Sequence, residues 1–248
     1  MAFLWSLVVI DPLIVLSTIL CGCVSIVLTL FDKSGNTAIL VGRFWARSLL
    51  LFVGVRVRVE GLEKIRADGK YVFCSNHLSY MDTPVVLSHI PVQFRFLAKR
   101  GLFQIPFMGT HLKQAGHIPV PLEDARAAVK TLTLAAETIQ KRSVSLLIFP
   151  EGGRSEDGVL QAFKEGAAYV AIKAHVPVVP MALVGTREIL PMGGATFRAG
   201  PVTLRIGDPI STEGLTPRDR QALTQRVREQ IVNLQEASLE ATPSGLSG

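Results

Sequence analysis

A histidine and an aspartate five positions apart, His77 and Asp82 in Asn76-His77-Leu78-Ser79-Tyr80-Met81-Asp82, are the residues of this chain best suited to moving a proton. A carboxylate on one ring nitrogen leaves the other as an acceptor, which makes the imidazole a general base near neutral pH. Residues five apart on one helix point in different directions, so the pair can meet only where the chain folds back at a helix start. Such a loop belongs here. The apolar run Tyr71-Val72-Phe73-Cys74 before it reads as a buried strand, and Thr83-Pro84-Val85-Val86-Leu87 after it as a helix with proline in the first turn. Asp82 or Thr83 is placed to cap that helix. A strand-end histidine beside a capping aspartate is the plainer reading of the same residues, and the pair alone does not decide between them.

Two further strand ends carry unusual residues. Glu151-Gly152-Gly153-Arg154 follows the apolar run Val144 to Phe149 and Pro150. Glycines let backbone approach an anion, and a guanidinium holds one through paired hydrogen bonds. Alternatively, Arg154 and Glu151 pair with each other across the turn. Lys99 follows the strand-like Phe94-Arg95-Phe96-Leu97, and Lys164 and Arg187 are candidates to extend a basic rim. Ser75 and Ser79 flank His77 as turn hydrogen-bonders. His111 and His117 read as structural, and no cluster of His, Cys, Asp and Glu has metal-ligand spacing.

The elements that hold these residues alternate. Val55 to Glu60 is a half-buried strand; further strands are expected up to Cys74, from Phe94, at Gly116 to Val120, Val144 to Phe149 and Val176 to Val184, with Val202 to Ile206 as an alternating edge strand. Helices are expected over Thr83 to His89, around Pro106 to Gln114, Glu123 to Lys141 with acids capping its start, Phe163 to Ala174, and Pro217 to Leu239. Two-sided burial of strands such as Val144 to Phe149 points to parallel pairing. The expected fold is α/β, a mixed, largely parallel sheet flanked by helices, with an N-terminal membrane-associated helical hairpin. Residues 1–54 form the membrane-associated helices, 55–240 the α/β domain and 241–248 a flexible tail.

The hairpin rests on Pro12 to Phe31, twenty uncharged residues that as a helix cover about 30 Å, the thickness of a bilayer's hydrocarbon core. After the turn-rich Asp32-Lys33-Ser34-Gly35-Asn36, Thr37 to Val53 is apolar but holds Arg43 and Arg47 one turn apart beside Trp45. Such a helix suits the headgroup interface. Basic residues appear only after the first segment, which sets the body on the cytoplasmic side of the cell membrane. A cleaved signal peptide fits poorly, since no basic residue precedes the run.

Composition narrows the partners. The 248 residues are 48% hydrophobic with formal net charge +6, enough apolar content for one sizeable core and a bias towards anionic partners. No Lys/Arg tail or RNA-binding signature is present, which argues against nucleic acid. Three cysteines, Cys21, Cys23 and Cys74, make no disulfide framework and suit a reducing compartment.

Taken in order, Asn76-His77…Asp82, then Lys99…Leu102…Pro106…Gly109, then Phe149-Pro150-Glu151-Gly152-Gly153-Arg154-Ser155, then Val179-Pro180 closing a strand, resemble the four blocks of the lysophospholipid acyltransferases. The best-known bacterial members are the 1-acylglycerol-3-phosphate acyltransferases. The resemblance implies that His77 takes the proton of the acceptor's hydroxyl while Asp82 orients it. It implies that Arg154 and Lys99 hold the acceptor's phosphate, with Glu151 and Gly152 shaping that pocket. The donor would be acyl-CoA or acyl carrier protein and the acceptor a lysophospholipid, with no metal or cofactor. A thioester carries a good leaving group, so no enzyme nucleophile is needed, in keeping with the lack of a Gly-x-Ser-x-Gly elbow. Gly153 stands where the family usually has threonine, which keeps glycerol 3-phosphate or another lyso-lipid open as acceptor. A lipid hydrolase and a non-catalytic lipid-binding membrane protein are the readings from other classes.

Overall fold

Short apolar runs bounded by glycine, proline and serine fold as strands, and longer stretches with helical periodicity pack between them. In the computed structural model, which describes residues 2–121 and 124–240, the chain enters as α1 (Ala2–Trp5), a π-helical stretch Ser6–Ile10 and α2 (Asp11–Thr29). It then reverses into α3 (Asn36–Val53). Next come β1 (Val55–Glu60), β2 (Val72–Ser75), α4 (Asp82–His89), β3 (Phe94–Lys99), α5 (Met108–Gln114), β4 (Ile118–Val120) and α6 (Ala125–Arg142). β5 (Ser145–Ile148), α7 (Gly166–Ala174), β6 (Val178–Val184), α8 (Thr186–Ile189), β7 (Gly200–Ile206) and α9 (Arg220–Glu240) complete it. The expected tail, 241–248, and Glu123 at the start of the expected helix lie outside the described residues. Asp124 caps α6, its carboxylate accepting from the N–H groups of Arg126 and Ala127.

The strands form one seven-stranded sheet in the order β1-β7-β6-β2-β5-β3-β4. Every neighbouring pair is parallel except β6 and β7. The mixed, largely parallel sheet is thus as the alternation of elements implies, but β7 is not at its edge. It pairs with β6 on one side and with β1 on the other, and the N-terminal strand takes the edge instead. Val179 and Pro180 do not end a strand either: β6 runs on to Val184.

Alternate residues of the central strands feed two cores. On one face Phe73, Phe94, Leu147 and Val179 pack under α3 and α4 through Ile39, Leu49, Val53 and Val85. On the other, Val72, Leu146, Ile148 and Val178 meet Ala135 and Ile139 of α6, Val170 of α7 and Leu223 and Val227 of α9.

Helix α3 therefore shares its core with the sheet, and its arginines reach backbone carbonyls at and beyond the end of α4. Arg43 Nη2 donates to the carbonyls of Ile90 and Val92 at 2.8 and 2.6 Å, and Arg47 Nη2 to that of Ser88 at 3.3 Å. The carbonyls at the end of α4 need donors, and these guanidiniums supply them. Ser6–Thr29 and Asn36–Val53 are both long and apolar enough to cross a membrane. The first arm leaves Leu16, Leu20, Val24, Val27, Leu30 and Phe31 exposed, and the second exposes Leu40, Phe44 and Leu51.

At its amino end β3 outruns β4, and side chains fill the gap. Phe96 N–H donates to His117 Nδ1 at 2.9 Å, a bond that requires the neutral ring. His111 Nδ1 lies 2.8 Å from Ser25 Oγ of α2. Burial holds His117 well below the ordinary histidine value, with His111 and Arg95 adding repulsion, and burial lowers His111 as well. The folded state refuses protons that the unfolded chain accepts below about pH 6.5. Stability is thus complete above that pH and is lost as the pH falls below it. Melting temperatures at pH 8 and pH 5.5 should show a clear fall in the wild type and a smaller one in His117→Gln; equal falls would refute this source.

Candidate active site

Four parallel strands, β6, β2, β5 and β3, end along one edge of the sheet, the position at which open α/β sheets build their sites. Past Ser75, Asn76 closes the end of β2 onto β6 with its amide, donating to Leu183 O at 2.9 Å and accepting from Leu183 N–H at 2.7 Å. This pins the chain just before His77.

The loop then folds back, as the spacing of His77 and Asp82 demands. Asp82 Oδ2 lies 2.8 Å from His77 Nδ1 and accepts the N–H groups of Leu78 and Ser79 at 2.7 and 2.8 Å. Asp82 is the first residue of α4, but its carboxylate serves the loop before the helix and does not cap the helix's own N–H groups. A carboxylate only accepts, so Nδ1 carries the proton and Nε2 is left with its lone pair. Asp82 is 0% exposed, and its Oδ1 has no hydrogen-bond partner among the described residues. Three donors on one buried oxygen fix the anion and, through it, the ring.

From β5 comes the other half of the site. The ring of Phe149 lies flat against the imidazole, with centroids 3.9 Å apart and planes 10° from parallel. Glu151, buried, accepts His77 N–H on Oε1 at 2.6 Å and Gln161 N–H on Oε2 at 2.9 Å. Burial raises its carboxyl above the ordinary range, against the lowering effect of those two bonds. Ser155 N–H donates to His77 O at 2.9 Å. The 149–155 turn thus wraps His77. Both oxygens of Glu151 are taken up by backbone donors, so the pairing with Arg154 suggested by their closeness in sequence is not formed.

Arg154 instead lies over the ring of Tyr80, 3.9 Å from its centroid, with Nη1 3.9 Å from Met192 Sδ. Its Nε is buried with no partner, and it has no ion pair among the described residues. The aromatic face holds the cation beside the His77 loop. Gly152 has a φ of +78°, and a β-carbon there would lie 2.6 Å from Lys164 Nζ, which sets that ammonium on the same turn. A β-carbon at Gly153 would meet nothing within 4 Å. Lys99 is exposed at the end of β3, the strand next to β5. Arg187 braces the 156–158 loop, donating to Glu156 O at 2.9 Å.

The pair, the turn and the cations Arg154, Lys164 and Lys99 therefore share one edge of the sheet. Phe149, Tyr80, Met192 and Gln161 were not singled out in the sequence. Only Phe149 left a signal, as the last apolar residue before Pro150.

Fold and site together define an α/β protein with a hydrogen-bonded histidine–aspartate pair at the carboxyl edge of its sheet and cations beside it. A family model described as Acyltransferase matches residues 56–184, over half of the chain, and the chain belongs to that family. It is 37% identical over 172 residues to a chloroplastic 1-acyl-sn-glycerol-3-phosphate acyltransferase of Arabidopsis thaliana, covering 68% of this chain and 48% of that one. It is 32% identical over 181 residues to the alpha 1-acyl-sn-glycerol-3-phosphate acyltransferase of Homo sapiens, covering 73% and 64%. The chain thus spans between about half and two thirds of these relatives' length. The crystal structure of the 1-acyl-sn-glycerophosphate acyltransferase PlsC of Thermotoga maritima superposes with a TM-score of 0.82 at 26% identity, over 98% of this chain and all of that one.

Proposed function

We propose that the protein transfers a fatty acyl group from acyl-CoA or acyl carrier protein to the sn-2 hydroxyl of 1-acylglycerol 3-phosphate, giving phosphatidic acid. The observation that carries this reading is the His77–Asp82 bond at 2.8 Å, which leaves Nε2 as the acceptor beside a cationic turn. Nε2 takes the hydroxyl proton as the oxygen attacks the thioester carbonyl. The C–O bond forms and the C–S bond breaks. The imidazolium, steadied by Asp82, returns the proton to the departing thiolate. Arg154, Lys164 and Lys99 are the groups for the acceptor's phosphate, while Glu151 and Gly152 shape the turn that carries them. The apolar hairpin, residues 1–54, holds the enzyme at the cytoplasmic face of the cell membrane, where acceptor and product reside, and the body from 55 to 240 does the chemistry.

The open space over Gly153 favours a second acceptor as an alternative, another lyso-lipid or glycerol 3-phosphate, since the threonine usual there would fill it. Detergent-solubilised protein given labelled acyl thioester and a panel of these acceptors should form most product with lysophosphatidic acid. Free fatty acid as the only product would assign a hydrolase, and no product with any acceptor would leave lipid binding alone. In the same assay Arg154→Ala should raise the acceptor's KM at least tenfold and leave the donor's within about twofold, the pattern of a lost bidentate phosphate contact. A larger effect on the donor would refute the assignment.

A further inference from the structure

Arg95, the second residue of β3, lies at the opposite end of that strand from Lys99 and the catalytic edge. It is 0% exposed and makes no ion pair among the described residues. Its donors go to neutral acceptors: Nη1 to Gln93 Oε1 and Phe94 O at 3.2 and 3.0 Å, Nη2 to Ser34 O and Asn36 Oδ1 at 3.2 and 2.8 Å. Its Nε is buried and unpartnered. A buried cation satisfied only by dipoles, with one N–H left over, is costly unless an anion completes it.

A second guanidinium lies beside the same glycine. A β-carbon placed on Gly116 would lie 3.4 Å from Arg95 Nε and 2.7 Å from Arg142 Nη1. Gly116 has a φ of +76°, so the position favours glycine and stays without a side chain. Arg142 is exposed in the last turn of α6, where it suits the helix dipole, but among the described residues it makes no hydrogen bond or ion pair. Burial and the charge of Arg142 lower Arg95 to about 10. The nearby Asp32 is already engaged, accepting from Ser34 N–H, Thr37 N–H and the Thr37 hydroxyl.

We propose that Arg95 and Arg142, which meet beside Gly116, form a binding site for a phosphate group, separate from the catalytic site. The fork of Arg142 and the one remaining N–H of Arg95, its Nε–H, match phosphate oxygens, and the anion would relieve the repulsion between the two cations. The turn tied down by Arg95 also carries Lys33 and follows Leu30 and Phe31, which are 71% and 85% exposed. A site beside such a turn is placed to take the headgroup of an anionic lipid, and the same chemistry would accept free phosphate.

The test uses the full chain in phosphate-free detergent, with Arg154→Ala as the background so that phosphate binding at the catalytic turn is weakened. Inorganic phosphate should raise its melting temperature saturably, and Arg142→Gln, a surface change, should weaken the apparent affinity at least tenfold. Arg95→Lys should weaken it too; if that variant fails to fold, Arg142→Gln decides alone. Phosphatidylglycerol in phosphatidylcholine vesicles that displaces phosphate assigns a lipid headgroup, and failure to displace it assigns the soluble ion. Unchanged affinity in Arg142→Gln, or no phosphate response in the background variant, overturns the proposal and leaves the acyl-transfer reading untouched.

Discussion

Replacing His77 with alanine is expected to lower kcat/KM for acyl transfer by about 10²–10⁴-fold, the usual contribution of a positioned general base. The melting temperature should move little. The imidazole stacks on Phe149 and holds Asp82, but the loop's shape rests on backbone bonds that alanine keeps: His77 N–H to Glu151, and Leu78 and Ser79 N–H to Asp82. Asp82→Asn should behave differently, losing activity and stability together. Three donors converge on Oδ2, and an amide in that place accepts less strongly and sets a buried NH2 where Oδ1 has no partner. The loss should be on the order of 1–3 kcal/mol in chemical unfolding. Full activity in His77→Ala would remove the mechanism. A large loss of stability in that variant with none in Asp82→Asn would reverse the division of labour between the two residues.

Much of this architecture was legible because it is local. β1 falls at Val55–Glu60 as its alternation implies, and the spacing of His77 and Asp82 calls for the folded-back loop that is found. What was not legible depends on which strands meet. β7 alternates like an edge strand, yet β1, from the far end of the chain, covers it. Arg43 and Arg47 stand on an apolar helix with no local sign of a partner, and only the packing of α3 on α4 brings the carbonyls of Ser88, Ile90 and Val92 within their reach. The hydrogen-bond partner of Glu151 is hidden for the same reason. Close to Arg154 in sequence, it offers an ion pair across the turn, but the pairing of β2 with β5 brings His77 N–H to its carboxylate instead.

That placement makes Glu151→Gln the second large effect to expect. Each carboxylate oxygen accepts a backbone N–H, and an amide keeps one acceptor while opposing the other N–H with its own donors. The His77 loop must shift, and a displacement on the order of 1 Å at a base costs about 10²-fold in rate. The fall should appear in kcat. Glu151 acts here as a positioning residue, so in a His77→Ala background the substitution should change the residual rate hardly at all; an equal fall in both backgrounds would mean a general structural role. Stability should follow a separate course. Burial raises the folded carboxyl, so the neutral form's advantage is complete below about pH 4.5 and is lost as the pH rises through the raised value. Relative to wild type, the melting temperature of Glu151→Gln should therefore improve as the pH rises from 4.5 to 7, even as its kcat stays low. The carboxylate is kept charged against its own burial because two backbone donors, one of them on the base, require two acceptors.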